Sequence, residues 1–163
     1  MMEIRAAKLN EAVEIFDLIK ARIAWMDQKG ISQWNNTGYL EAYPLEYFME
    51  QCAAGNFYIA VMNGQIVGAF AMFETDERWP DGLRAVHIHQ LVSDPNVPHV
   101  GSKLLQFAKD LAVQLGLNRV RLDCQQGNER LNAYYEAQGF ALKGECSEGP
   151  YYQGYLREWV SGK

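Results

Sequence analysis

The stretch Ala85-Val86-His87-Ile88-His89-Gln90-Leu91-Val92-Ser93-Asp94-Pro95-Asn96-Val97-Pro98-His99-Val100-Gly101-Ser102-Lys103-Leu104-Leu105 decides how this chain folds. Its opening residues read as a strand, its middle as a short loop, and its end as the start of a helix. The helix is expected over residues 101–115, with Leu104, Phe107, Ala108, Leu111 and Leu115 on one face and Gly116 closing it. A strand follows at 119–124, with Val120 and Leu122 pointing one way. A strand, a crossover helix and a second strand imply parallel pairing. A helix that begins just after a strand offers unpaired N–H groups and the positive end of its dipole, which suits a phosphate.

Working outward, residues 3–7 read as an edge strand and Asn10 as an N-cap. The helix after it carries Val13, Phe16, Ile19, Ile23 and Met26 at spacings of three and four, and Gly30 ends it. Residues 31–44 are aromatic and turn-rich. Leu45, Phe48 and Cys52 mark a second short helix, stopped by Gly55. Residues 57–62 and 66–74 form a hairpin about Asn63-Gly64. Residues 77–83, containing Trp79-Pro80-Asp81-Gly82, are a loop. Residues 131–138 are a helix ended by Gly139, and 140–145 with 151–160 form a final antiparallel pair. The expected order is β-α-α-β-β-β-α-β-α-β-β, an α+β arrangement in one domain spanning residues 1–163.

The apolar fraction of 48% and charged fraction of 21% indicate a folded globular chain. The net charge of −5 is spread along the sequence without a basic run, which excludes nucleic acid as the expected partner. No apolar stretch approaches the roughly 18 residues that cross a bilayer. Cys52, Cys124 and Cys146 form no CxxC pair, and no signal-peptide pattern is present, so a cytoplasmic location is expected.

A second stretch, Asn128-Glu129-Arg130-Leu131-Asn132-Ala133-Tyr134-Tyr135-Glu136-Ala137-Gln138-Gly139-Phe140, joins the first in resembling the cofactor-binding half of the GNAT superfamily of N-acetyltransferases. It is similar to the pattern N-x-x-A-x-x-F-Y-x-x-x-G-F, with Leu131 replacing the small residue. Gly30-Ile31-Ser32-Gln33-Trp34 resembles a G-I-x-Q-W segment of bacterial members. The resemblance covers nearly the whole chain. It implies a single-domain α+β fold, with a mixed, mostly antiparallel twisted sheet and helices on both faces. It also implies acetyl-CoA as cosubstrate, no metal, and direct transfer of the acetyl group to a primary amine of a small molecule or peptide. The last strand leaves a homodimer open.

The family's R/Q-x-x-G-x-G/A phosphate signature falls here on residues 96–102 and keeps Gly101 alone. The Arg or Gln is absent, the loop is about two residues shorter, and Pro98 has no amide to donate. The cofactor-binding residues that the resemblance implies are Leu91, Val92 and Ser93 at the strand end, and His99, Val100, Gly101, Ser102 and Lys103 at the helix start. Asn128 would contact the pantetheine arm and Tyr135 would lie by the thioester sulfur.

Four residues are candidates for proton transfer. A departing thiolate needs a proton, and the Tyr135 phenol can supply it; the competing reading is a core aromatic. His87 and His89, two apart on a strand, should face the same way with Leu91. The H-x-H-x-L spelling is similar to that of arylalkylamine acetyltransferases, in which the histidines help deprotonate the amine. A packed histidine is the alternative, and a metal would require a third ligand from His99. Glu74, at a strand end, can polarise a water or stand as a solvated acid. Cys124 reads as a small hydrophobe rather than a nucleophile. Trp25, Trp34 and Tyr39, in a group with Tyr43, Tyr47 and Phe48, either hold an ammonium head group or anchor a short helix. Two other classes are compatible with the same residues: a non-catalytic acyl-CoA-binding regulatory module, and an interaction protein that retains the fold without the cofactor.

Overall fold

The computed structural model describes residues 1–31, 38–150 and 152–162. Among the described residues, seven strands and five helices follow one another as β1 (Met2–Ala6), a 3-10 turn (Leu9–Glu11), α1 (Ala12–Lys29), α2 (Tyr39–Ala42), α3 (Leu45–Ala53), β2 (Phe57–Met62), β3 (Gln65–Phe73), β4 (Val86–Ser93), α4 (Val100–Gln114), β5 (Arg119–Gln125), α5 (Glu129–Ala137), β6 (Ala141–Glu148) and β7 (Tyr152–Val160). The fold class is α+β, and the order is the expected one with a single-turn α2 added. Among the described residues no helix is long and apolar enough to cross a membrane.

The chain divides into two compact units, Met1–Met72 with His89–Phe107, and Phe73–Ile88 with Ala108–Lys163. In the first, neighbouring strands run β1-β2-β3-β4, and β1 and β2 pair antiparallel, as do β2 and β3. Asn63 and Gly64, with φ of 52° and 76°, make the two-residue turn of the hairpin. The β2–β3 register then slips, because Ala60 faces Gly68 while Val61 faces Ile66, leaving Val67 as an inserted residue. Its carbonyl, outside the ladder, accepts a hydrogen bond from the Asp94 N–H at 2.8 Å.

Helix α1 buries Ala12, Ile15, Ile19 and Met26. Val13, expected on that face, is exposed, and Ile15 takes the core position instead. The helix enters from a 3-10 turn rather than from an Asn10 cap, and Ala12 and Ile15 are the buried residues of its first turns, while Ile19 and Met26 are buried as expected. Gly30 closes the helix in the left-handed conformation. The entry is fixed by Glu11, whose carboxylate accepts from Arg5 Nη1 and Nη2 at 2.9 and 2.8 Å and from the Lys8 N–H at 2.8 Å.

In the second unit the order is β4-β5-β7-β6. β4 and β5 pair parallel, with Val86 opposite Val120 and His87 opposite Arg121, as the crossover reading requires. β5 with β7 and β7 with β6 are antiparallel. Expected boundaries move by one to three residues, and Leu115 lies exposed beyond α4 instead of on its buried face.

The hydrogen bonds from Arg5, with its nearby charge, hold the Glu11 carboxyl down at about 2. A depressed carboxylate stabilises the fold above its ordinary pKa, and this contribution is lost as pH falls towards the folded value. Glu11→Gln should therefore cost about 1–2 kcal/mol at pH 7. The difference should shrink between pH 5 and about 2, as measured by urea denaturation at several pH values. A difference that does not vary with pH would show that Glu11 acts by packing alone.

Candidate active site

In the first unit, β4 is interrupted at Gln90, whose φ is +49°. A left-handed residue other than glycine costs about 1–2 kcal/mol, so something must hold it. The Gln90 side chain is buried and accepts a hydrogen bond from the Tyr47 hydroxyl at 3.0 Å. Burial raises the Tyr47 hydroxyl well above its ordinary pKa, so it stays a donor. The backbone thus leaves strand geometry between His89 and Leu91, while burial still alternates across it: Ile88, Gln90 and Val92 are buried, and His89, Leu91 and Ser93 are half-buried.

The strand ends in a pre-formed loop. Asp94 Oδ1 accepts from the Asn96 N–H at 2.9 Å, and the Asp94 carbonyl accepts from Val97 N–H at 3.1 Å. His99, at φ +66°, leads into α4, and its carbonyl accepts from the Lys103 N–H at 3.1 Å and the Ser102 hydroxyl at 3.0 Å. The Lys103 amide is thus engaged in the first helical bond. That removes the Lys103 amide from the expected cradle of His99 to Lys103. This helix start lies close over β3: a Cβ at Gly68 would stand 2.5 Å from Val100 Cγ1, 2.9 Å from Leu104 Cδ1 and 3.1 Å from the Val92 carbonyl.

The aromatic residues proposed for an acceptor are differently engaged. The Arg22 guanidinium lies 4.1 Å from the Trp25 ring centroid and donates to the Ser93 carbonyl at 3.4 Å, so Trp25 already carries a cation. Tyr39 is buried and begins a run of ring contacts through Tyr43, Tyr47 and Phe48 to Phe57. That run links α2 and α3 to β2. Trp34 lies outside the described residues.

In the second unit, α5 is capped by Asn128, whose side chain accepts from the Leu131 N–H at 3.1 Å. Tyr135 is buried on that helix, 6.0 Å from the Phe140 ring by centroids. Cys124 is buried too, and burial pushes its thiol up to about 11, so it is no thiolate at neutral pH. His87, expected to share a proton relay with His89, is instead 1% exposed and packed edge-on against Trp79. Glu74 forms an exposed ion pair with Arg84. His89 is the half-buried histidine of the pair.

Among the polar groups that escaped the sequence reading are those around Arg121 and Tyr152. Arg121 is fully buried, bonded to Glu158 at 2.7 Å and to both oxygens of Asp81 at 2.9 and 2.6 Å, with the Trp79 ring 4.1 Å away. The Arg121 hydrogen bonds hold the Asp81 carboxyl down at about 2. Tyr152 donates to Asp123 at 2.5 Å, and Arg78 bridges Asp123 and Glu148. The R-V-R-L-D-C alternation of β5 looks like a solvent face. The one hint was a tryptophan in the turn Trp79-Pro80-Asp81-Gly82, which needs a surface to cover.

A family model described as acetyltransferase (GNAT) family matches residues 18–140. The chain belongs to that family. It is similar to an N-acetyltransferase called YesJ from Bacillus subtilis (strain 168), with 19% identity over 88% of this chain and 83% of that one. A GNAT-family acetyltransferase from Listeria monocytogenes 4b F2365 superposes with a TM-score of 0.79 at 21% identity, covering 98% and 94% of the two chains. The PaiA N-acetyltransferase from Thermoplasma acidophilum, solved in complex with coenzyme A, gives 0.74 at 17% identity, covering 98% and 99%. Family membership makes the chain an acyltransferase that uses a coenzyme A thioester.

The closeness of α4 to β3 has a measurable consequence. Gly68→Ala should displace the helix start or strain the backbone, with about 1–3 kcal/mol lost from stability. Coenzyme A should bind more weakly by calorimetry. An unchanged Kd would show that binding does not depend on where α4 begins.

Proposed function

We propose that this GNAT-family chain transfers an acetyl group from acetyl-CoA to a primary amine by direct attack. The observation that supports this most is the setting of the family pattern in α5: Asn128 is its N-cap, Tyr135 lies on its buried side, and Phe140 is in the core just beyond it. A coenzyme A complex of the fold relative PaiA supports the cosubstrate.

In this reading the amine gives its proton to His89, through water, and its nitrogen attacks the thioester carbonyl. The left-handed turn at Gln90 interrupts the pleat just before Leu91, where the proposal needs an amide to stabilise the oxyanion. Collapse of the tetrahedral species breaks the carbon–sulfur bond, and Tyr135 protonates the departing thiolate. The products are an N-acetylated amine and free coenzyme A. The amides of Val100, Gly101 and Ser102 hold the pyrophosphate, and Asn128 contacts the pantetheine arm. His87 is too deeply buried to take part, and Glu74 is engaged by Arg84. The acidic balance of −5 favours a cationic acceptor.

Spermidine, tyramine, an aminoglycoside and a peptide with a free N-terminus, assayed with acetyl-CoA, should include at least one amine that releases coenzyme A faster than water does. Tyr135→Phe should then lower kcat by about 10²–10⁴ while Kd for acetyl-CoA holds. Thermal stabilisation by acetyl-CoA without release by any amine would favour the non-catalytic binding module. No thermal shift would favour the interaction protein.

A further inference from the structure

Helix α5 carries a buried polar group that neither the family pattern nor the proposed chemistry uses. Asn132, 8% exposed, spends its carboxamide on four partners. Its Oδ1 accepts from Arg157 Nε at 3.0 Å and from the Cys124 thiol at 3.1 Å. Its Nδ2 donates to the Gln125 carbonyl at 3.0 Å and to the Asn128 carbonyl at 2.9 Å. Arg157 is itself buried, and its Nη1 donates to the Phe140 carbonyl at 3.0 Å. Phe140 in turn donates its N–H to the Tyr135 carbonyl at 3.0 Å.

These bonds bracket one residue. Through Asn132, the end of β5 grips the helix N-terminus at Asn128. Through Arg157, β7 grips the chain just past the helix C-terminus at Phe140. Tyr135 lies between the grips, three residues after Asn132, so the two share a helix side. A buried guanidinium is costly without partners, and here it is satisfied by acceptors whose positions set the register of α5.

We infer that Asn132 and Arg157 are positioning residues that set the Tyr135 hydroxyl for proton delivery to the leaving thiolate; this rests on the reading of Tyr135 as general acid. Misplacing a reacting group by about 1 Å costs up to about 10²-fold in rate, without requiring the fold to be lost.

Asn132→Asp isolates the effect. The carboxylate keeps the acceptor for Arg157 and Cys124 and adds an ion pair with Arg157, so the core stays filled. It turns an acceptor towards the Gln125 and Asn128 carbonyls in place of a donor, which loosens the helix start. The experiment is a double-mutant cycle of Asn132→Asp and Tyr135→Phe. It reads kcat with the fastest of the four amines named above, or release of coenzyme A to water if none is turned over. The expected result is a fall of about 10–10²-fold for Asn132→Asp alone and no further fall when it is added to Tyr135→Phe. Full kcat in Asn132→Asp, or two losses that simply multiply, would overturn the inference while leaving Tyr135 in its role. Full kcat in Tyr135→Phe would overturn the general-acid reading and this inference with it. If circular dichroism shows Asn132→Asp unfolded, Arg157→Lys, which keeps the charge with fewer donors, enters the same cycle with the same criteria.

Discussion

A guanidinium sealed from water has to be paired, and Arg121 is the residue on which that requirement falls hardest. It is 1% exposed, and an unpaired charge at such a depth would cost several kcal/mol. Glu158 on β7 supplies one carboxylate and Asp81 the other, while Trp79 lies against it. The β5–β7 register that sets Arg121 opposite Glu158 is therefore tied to the path of the loop between β3 and β4. A change in either alone would leave Arg121 with one carboxylate in place of two. His87 is a passenger of the same arrangement: it sits opposite Arg121 in the parallel pair, and Trp79 lies against its ring.

The elements that periodicity controls were legible in the chain. The 3.6-residue stripe of α4, the Asn63-Gly64 turn and the glycine stops at Gly30 and Gly139 all mark real features. The strand, helix, strand crossover implied the parallel pairing of β4 with β5. What escaped was decided by tertiary packing. Period two on β4 put His87 and His89 on one face, but a strand pattern does not say what covers that face. Gln90 adopts a left-handed conformation without being glycine, so no residue type announced the break; the Tyr47 hydroxyl that accompanies it comes from a helix 43 positions away. Arg121 was disguised by alternation, because a charged residue on a strand ordinarily reads as solvated.

The candidate site was legible to differing depths. Asn128 is a helix cap and Tyr135 is buried on the same helix, features that spacing along the chain made readable. The loop expected to hold phosphate keeps only Gly101 of the usual signature, yet its backbone is held by hydrogen bonds to Asp94 and His99, whose roles a search for that signature passes over. The aromatic cluster was legible as a cluster and not as a use. Its rings stack towards the core, and Trp25 is matched with a cation from its own helix. Residues Asn132 and Arg157 were invisible in sequence because each is an ordinary polar residue, and only the pairing makes them distinctive.

The inserted Val67 divides β3 into two frames. Residues before it keep the alternation set by the hairpin tip, and residues from Gly68 onward keep an alternation offset by one. The bulge therefore works as a mechanical decoupler. The tip can exchange side chains between its two faces under its own constraints, while Gly68 stays directed at the start of α4 and the Val67 carbonyl stays bound to Asp94. Variation at the hairpin tip is thus insulated from the geometry of the loop that follows β4, and a lineage could remodel one without retuning the other.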